Sequence, residues 1–323
     1  MLLVNPPRDS AFSQLAQPGR AVRIFTQDFG DHQWFLASGA VVEFGLVPPN
    51  LPDLVDVVLI QPRERDRLKM LLCALACALP VTGRLWLAGE NRTGIKSGGK
   101  CLSQHFSIVT KVDNARHCVL YEASQPAVSK PFTLTDYEES WTLPSPRDDV
   151  HIVSLPGTFA HGKLDQGTQL LLDTLQDHDP SGHILDFACG NGVIGLMLLI
   201  QQPSTELVLL DTSALALESV RRSLQANNCI AQVLPSDGLD AVTGTFDWIV
   251  SNPPFHRGVV NDLNIAKRFF SQAGRHLNKT GKMLLVYNQH LPYQGWLREY
   301  FSRVEIVNAN RGFKVVLVSG AVV

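Results

Sequence analysis

The sequence lacks several features that mark common classes of protein. Six of its 323 residues are cysteine, but they form no CxxC pair and no His/Cys spacing typical of a zinc site. The longest apolar run, residues 70–81, is too short to span a bilayer and contains Pro80. The first residues do not combine basic and apolar character as a signal peptide does. We therefore expect a cytoplasmic protein in a reducing setting, with no metal site and no membrane partner.

An excess of positive charge is also missing. The formal net charge is −2, and only 18% of the residues are charged. A protein that binds nucleic acid with so little excess charge must concentrate it locally, or bind a substrate already shaped by other proteins. With 45% hydrophobic residues, the composition is typical of a globular protein and excludes a largely disordered chain.

Strand-like and helix-like patterns alternate in both halves of the chain. Residues 55–60 form an apolar strand pattern, and residues 67–79 follow with leucines three and four apart, as on one face of a helix. Residues 111–122 predict a pair of strands with a turn near Asn114. The alternation predicts parallel α/β sheets.

The chain is long enough for two domains with separate cores. Residues 130–149 are rich in Pro, Ser, Thr, Asp and Glu, which is typical of a linker. We predict domains at residues 1–145 and 146–323, and an irregular lead-in at residues 1–20.

An internal repeat relates the two predicted domains. Residues 56–62 (DVVLIQP) and residues 247–253 (DWIVSNP) share the order acid, apolar run, amide, proline, and a helix and a glycine-opened strand follow each. The first copy continues with Gln61-Pro-Arg-Glu, and no strand near it runs into a glycine-rich turn. We predict a duplication whose first copy is catalytically silent and binds substrate or supports the second.

The second copy ends in Asn252-Pro253-Pro254-Phe255. Two prolines hold the backbone extended and leave carbonyls with no neighbouring N–H, while Asn252 adds a side-chain acceptor and Phe255 a flat apolar face. Convergent acceptors beside an aromatic ring suit a planar molecule with an exocyclic NH₂ group, which they would orient for attack on an electrophile. Asn5-Pro-Pro, with no strand pattern before it and no aromatic after, predicts an ordinary turn.

A glycine turn follows the first strand of the second domain. It carries Asp186, Gly190 and Gly192 and opens a helix, the arrangement in which backbone N–H groups receive a ligand. The next strand ends at Asp211, whose carboxylate suits the ribose hydroxyls of an adenosine, and Asp237 follows a third strand as an acceptor for an adenine amine. Asp186 would oppose the diphosphate of NAD but suits a protonated amine, so the pattern favours S-adenosylmethionine over a nicotinamide cofactor.

The chain resembles the bacterial small-subunit ribosomal RNA guanine-N2 methyltransferases of the C type over nearly its whole length. The motifs that carry the resemblance are GENRTGIKS at 89–97, KVDNARHC at 111–118, SLPGTF at 154–159, LDQGT at 164–168 and SNPPFH at 251–256. The resemblance implies two tandem class I (Rossmann-like) methyltransferase domains, of which the N-terminal one is degenerate. It also implies methylation by S-adenosylmethionine of one guanine N2 in 16S rRNA, on the assembled 30S subunit, and we expect a monomer.

By matching position, the resemblance also implies roles for individual residues. Those of the cofactor site are Phe159, Asp165, Gly167, Thr168, Asp186, Ala188, Gly190, Gly192, Asp211, Asp237 and Asn252. Those that hold the guanine are Asn252, Pro253, Pro254 and Phe255. The loop from Phe159 to Thr168 would close over the methionine end of the cofactor. Ala188 departs from the family, which usually has glycine there, and its methyl group would crowd the cofactor.

Other activities use the same motif. Methylation of 23S rRNA guanine N2, of adenine N6 or of a protein glutamine N5 remains an alternative, as does a non-catalytic RNA-binding or assembly protein that retains the fold.

Overall fold

The structure is a computed structural model that describes residues 1–9, 11–15, 21–49, 56–253 and 260–322, apart from the side chains of residues 11 and 260–264. The chain forms two compact units, Met1–Glu138 and Glu139–Val323. Within the described ranges, no helix is both long and apolar enough to cross a membrane.

The first unit is built on a seven-stranded sheet of order β3-β2-β1-β4-β5-β7-β6. Its strands are β1 (Leu2–Val4), β2 (Arg23–Thr26), β3 (Val41–Phe44), β4 (Asp56–Ile60), β5 (Arg84–Glu90), β6 (Phe106–Ala115) and β7 (Cys118–Pro126). Its helices are α1 (Ala11–Leu15), α2 (Phe29–Ala37), α3 (Arg65–Ala78) and α4 (Gly98–Leu102). The first five strands pair in parallel, and β6 and β7 close the sheet as an antiparallel pair.

The second unit contains a two-stranded sheet, β8 (Glu139–Leu143) with β9 (Val150–Ser154), and a seven-stranded sheet of order β12-β11-β10-β13-β14-β16-β15. The strands of the larger sheet are β10 (His183–Phe187), β11 (Glu206–Asp211), β12 (Gln232–Pro235), β13 (Phe246–Ser251), β14 (Leu277–Asn288), β15 (Phe301–Ala309) and β16 (Phe313–Ala321). The helices are α5 (Gln166–Leu175), α6 (Val193–Gln201), α7 (Ala214–Ala226), α8 (Val260–His276) and α9 (Tyr293–Leu297).

Apolar residues cover both faces of the larger sheet of the second unit. One core includes Leu185, Ile249 and Leu285, and the other includes Ile184, Val250 and Leu284, on the same three strands. Such continuous apolar strands are expected where helices pack on both sides of a parallel sheet. β10 lies between β11 and β13, so the strand order reverses there and leaves a crevice at the carboxyl ends of β10 and β13.

The predicted pair of α/β domains is confirmed, and the two large sheets have the same strand order, as a duplication would give. Three local predictions were wrong. The expected irregular lead-in contains β1, an interior strand of the first sheet, so Asn5-Pro6-Pro7 does follow a strand. The hairpin turn lies at Arg116 and His117, both at positive φ, rather than near Asn114. Part of the expected linker is β8, which pairs with β9.

Candidate active site

The turn between β10 and α6 brings the backbone close to the crevice. Gly190 and Gly192 have φ values of 58° and 83°, in the left-handed region that glycine adopts without strain. A Cβ atom on Gly190 would meet nothing within 4 Å, so the backbone there faces open space. Ala188 also has a positive φ, 56°, although it carries a methyl group. The turn therefore offers an approachable backbone at the N-terminus of α6.

Asp186 lies on β10 beneath this turn and is fully buried. Its Oδ2 accepts the Gly195 N–H at 3.0 Å, whereas its Oδ1 has no hydrogen-bond partner among the residues described. Burial raises the pKa of Asp186 to about 8; repulsion by Asp211 adds to the rise and the Gly195 N–H opposes it. A buried carboxylate oxygen without a partner fits a ligand cation, which would restore the charged form.

Asp211, at the end of β11, is held by two backbone groups. Its Oδ2 accepts the Gly190 N–H at 3.0 Å, and its Oδ1 accepts the Ser213 N–H at 2.8 Å. A carboxylate has about four acceptor sites, so it can also accept from ligand hydroxyl groups. The structure thus fixes an acceptor beside the glycine turn, as the ribose role predicted for Asp211 requires.

Asn252 follows β13 directly, beside the end of β10. The Ser251 hydroxyl donates to the Phe187 carbonyl at 2.6 Å and ties the two strand ends together. Asn252 is only 8% exposed; its Nδ2 donates to Thr168 Oγ1 at 2.9 Å and to Asp165 Oδ2 at 3.1 Å. Its Oδ1 is buried and has no partner within the described ranges. Asn252 therefore offers an unused acceptor.

Asp165 is the N-cap of α5. Its Oδ2 accepts the backbone N–H groups of Gly167 at 2.8 Å and Thr168 at 3.0 Å, which would otherwise lack partners at a helix start. A Cβ atom on Gly167 would lie 2.9 Å from the Phe313 ring, so glycine is needed there for packing. The capped end of α5 brings Asp165 and Thr168 against Asn252.

A small cavity joins many of the predicted residues. It is lined by Phe159, Ala160, Lys163, Leu164, Asp165, Thr168, Ala188, Cys189, Gly190, Asn191, Val193, Ile194 and Asn252. Its volume is about 20 Å³, enough for about one water molecule, and Phe159, Lys163 and Leu164 from the loop before α5 form part of its wall. A larger groove of about 700 Å³ lies in the first unit and contains none of the predicted site residues.

Asp237 lies in the loop after β12 and is tied to α8. Arg268 Nη2 donates to the Asp237 carbonyl at 3.1 Å, and Arg268 Nη1 lies 3.5 Å from Asp237 Oδ1. Gln272 Oε1 accepts the Leu239 N–H at 3.1 Å, and both α8 side chains also donate to Asp240. The contact of Arg268 with this loop was not predicted, because it joins residues 31 positions apart.

Pro253 is buried at the end of β13, whereas Pro254 and Phe255 lie outside the described residues. The roles predicted for all the site residues remain predictions. The link from Asp165 and Thr168 to Asn252 was also missed; its sequence signal is an aspartate three residues before a threonine at a helix start, which predicts a cap but not the partner across the sheet.

Fold and site together define a class I methyltransferase: a doubly wound sheet, a glycine turn with an acid before it, and an acid at the end of the next strand. The sequence profile of the family "Methyltransferase small domain" matches residues 149–317, and that of "Methyltransferase small domain N-terminal" matches residues 1–141. The chain belongs to the ribosomal RNA small subunit methyltransferase C family.

Individual relatives cover almost the whole chain. The enzyme of that name from Pseudoalteromonas atlantica is 36% identical over 97% of this chain and 92% of its own length. The one from Pseudomonas fluorescens is 40% identical over 80% of this chain and 77% of its own. The structure of the T. thermophilus 16S rRNA N2 G1207 methyltransferase, in complex with AdoMet and guanosine, superposes with a TM-score of 0.87 at 25% identity, covering 99% of this chain and 88% of that one.

Proposed function

We propose that the protein transfers the methyl group of S-adenosylmethionine to the exocyclic N2 amine of a guanine in 16S rRNA. The observation that carries the proposal is the Asn252 carbonyl oxygen, buried and without a partner among the described residues, in a cavity that also includes Gly190 of the glycine turn. The relatives are named as small-subunit rRNA methyltransferases, and the similar T. thermophilus structure holds AdoMet and guanosine.

The residues present fit S-adenosylmethionine. Asp186 would hold the ammonium group through its unpartnered Oδ1, Asp211 the ribose hydroxyls, and Asp237 the adenine amine. Gly190 leaves space for the ligand, and Thr168 and Phe159 lie at the cavity wall. When bound, the cofactor supplies a methyl group made electrophilic by its positive sulfur.

Asn252 Oδ1 accepts a hydrogen bond from one N–H group of the substrate amine. The Pro253 carbonyl, which precedes a residue with no N–H, is suited to accept the other. Two such hydrogen bonds fix the plane of the amine and aim the nitrogen lone pair, so positioning supplies most of the rate. The amine becomes acidic as its new bond to carbon forms, so it loses one proton to water and no strong base is needed. Stacking on Phe255 would fix the plane of the guanine ring.

The first unit, in this proposal, binds or supports the substrate and does not catalyse. The natural substrate is the assembled 30S subunit, because a net charge of −2 gives little long-range attraction for free RNA. The protein acts as a monomer in the cytoplasm.

Methyl transfer from tritiated S-adenosylmethionine tests the proposal. The substrates are 30S subunits, 50S subunits and free 16S rRNA, all from a strain that lacks this activity. We expect label in 30S subunits only, recovered after nuclease digestion as N2-methylguanosine. Label recovered as N6-methyladenosine or in protein would overturn the assignment, and label in free 16S rRNA alone would overturn the choice of particle.

A further inference from the structure

The first turn of α5 holds the side chain of Asn252 in place. Asp165 Oδ2 accepts three donors: the N–H groups of Gly167 and Thr168, at 2.8 and 3.0 Å, and the Asn252 Nδ2 group, at 3.1 Å. Thr168 Oγ1 accepts from the same Nδ2 at 2.9 Å, and Thr168 is buried. Both hydrogens of the Asn252 amide are therefore directed at α5.

These contacts fix the orientation of the Asn252 amide, with Nδ2 toward α5 and Oδ1 away from these two partners. An asparagine side chain can rotate by half a turn and exchange its oxygen and nitrogen. In the reversed orientation, Asn252 Oδ1 would lie near Asp165 Oδ2, which accepts hydrogen bonds from the α5 backbone, and two acceptors would repel each other. The Nδ2 group, a donor, would then replace the acceptor that a substrate amine needs.

We propose that Asp165 and Thr168 are positioning residues, which orient Asn252 so that its carbonyl oxygen faces the amine. The inference rests on the proposed function, since it concerns the same site. It gives Asp165 and Thr168 a role in selecting a substrate that donates hydrogen bonds, beyond lining the cofactor cavity. It also predicts that removing either contact lowers the turnover number more than it changes the affinity for the cofactor.

Thr168→Val removes the hydroxyl acceptor and keeps the shape of the side chain. We expect kcat to fall by on the order of tenfold, because losing one hydrogen bond to a group that must be aligned costs about 1–1.5 kcal/mol. The Kd for S-adenosylmethionine, measured by calorimetry, should stay within about twofold. Thr168→Ser keeps the hydroxyl and should recover most of the turnover.

Thr174→Val is the matched control. Thr174 lies on the same helix, is buried, and also accepts a hydrogen bond from an asparagine amide, that of Asn308 at 3.0 Å. It lies six residues farther along α5 and is not among the cavity residues. The control should lose thermal stability and keep its kcat; an equal loss of kcat in both variants would show that α5 packing, and not the orientation of Asn252, is responsible.

A double-mutant cycle separates positioning from an independent role. In an Asn252→Ala background there is no amide to orient, so Thr168→Val should lower kcat no further. Additive losses would overturn the proposal. If the wild-type enzyme transfers methyl groups but the Thr168→Val variant is equally active, the positioning role fails while the proposed function stands.

Nuclear magnetic resonance gives a readout that does not depend on activity. The side-chain NH₂ signals of Asn252 are identified by their loss in Asn252→Ala. In Thr168→Val they should shift and exchange with water faster, because one of their two acceptors is gone. Signals unchanged by Thr168→Val would contradict the contact itself.

Discussion

The two units share one strand order but differ at the ends of their central strands. The second unit has Asp186 as the penultimate residue of β10, Asp211 as the last of β11 and Asn252 directly after β13. At the corresponding places, the first unit has Leu3, Thr26 and Gln61. Apolar strand interiors are thus enough to preserve the sheet, whereas the site depends on a few polar residues at strand ends.

Polar groups near the strand ends of the first unit bind one another. Gln27 is almost fully buried; its N–H donates to Asn5 Oδ1 at 2.9 Å, and its Oε1 accepts from Arg67 Nε at 2.9 Å. In the second unit, by contrast, Asp186 and Asn252 each keep one buried oxygen without a partner in the described ranges. The bonds of Gln27 thus stabilise the fold of the first unit, whereas the two unpartnered oxygens of the second unit are available to a ligand.

Gln61, the counterpart of Asn252 in the first unit, shares part of its hydrogen-bond arrangement. Its Nε2 donates to the Thr93 carbonyl at 2.9 Å, and its Oε1 is buried with no partner among the residues described. β1 and β2, the counterparts of β10 and β11, carry no carboxylate, so the first unit lacks the acids that flank the glycine turn in the second. An acceptor alone does not make a methyltransferase site.

The largest effect should come from Asn252→Ala. Turnover should fall by on the order of a hundredfold or more, because the amine loses the acceptor that aligns it. Cofactor binding, measured by calorimetry, should be nearly unchanged. Gln61→Ala makes a similar change in the first unit and should leave turnover within about twofold of the wild type. A large loss of turnover in Gln61→Ala would end the view that the first unit is silent.

The second largest effect should be the weakening of cofactor binding in Asp186→Asn. The substitution removes the charge expected to hold the ammonium group, at a cost on the order of 10- to 100-fold in Kd. Calorimetry with S-adenosylmethionine measures this. The equivalent position in the first unit, Leu3, is already apolar, so Leu3→Val should change stability and leave the Kd unchanged. An unaltered Kd in Asp186→Asn would remove Asp186 from the site.

Asp186 should also make binding and stability depend on pH. Its pKa is about 8 in the folded protein, against an ordinary 3.8, so the folded state retains a proton that the unfolded chain has lost. The free energy of unfolding should therefore fall as pH rises from about 4 to about 8. Binding of the ammonium group at pH 7 should release about one proton, detected by calorimetry in buffers of different ionisation enthalpy. Neither effect should persist in Asp186→Asn.

Arg268→Ala should have a smaller effect on the Kd for S-adenosylmethionine, measured by calorimetry. Arg268 holds the Asp237 carbonyl, so the loop that would bind adenine should become looser and the Kd for the cofactor should rise by about three- to tenfold. Arg275→Ala, on the same helix, is the control and should not change the Kd. Equal effects of the two variants would point to overall charge rather than to the loop.

The sequence predicts most of the fold and the strand-end residues, because both depend on local patterns. The period of apolar residues marks strands such as β4 and β13, and the glycine turn marks the crevice. β1 was missed because three residues are too few to show a period. The contact of Asn252 with α5 was missed because it joins residues 84 positions apart, and a single sequence does not show which long-range pairs meet. Arg268 was missed for the same reason.

The smallest effects are expected from glycine substitutions at one matched position of the two units, Ala188 and Asn5. Ala188 directly follows β10 and Asn5 directly follows β1, which has the same place in its sheet; their φ values are 56° and 50°. Glycine adopts this conformation without the strain of about 1 kcal/mol that a Cβ atom adds, although its flexible unfolded state opposes part of the gain. Ala188→Gly should therefore raise the free energy of unfolding by about 0.5 kcal/mol and tighten cofactor binding by about two- to threefold, as the methyl group no longer crowds the turn.

Substitution by glycine at the matched position of the first unit, Asn5, should lower the free energy of unfolding. Asn5 exchanges hydrogen bonds with Gln27, accepting from its N–H at 2.9 Å and donating to its Oε1 at 3.2 Å. Asn5→Gly relieves this strain but leaves the buried Gln27 N–H without its acceptor, which costs about 1–2 kcal/mol, so the protein should be less stable. Denaturant unfolding of both variants measures the change in the free energy of unfolding, which should be positive for Ala188→Gly and negative for Asn5→Gly. If both variants gain stability, Asn5 does not stabilise the first unit through Gln27, and the contrast between this bonded pair and the unpartnered oxygens of the second unit fails.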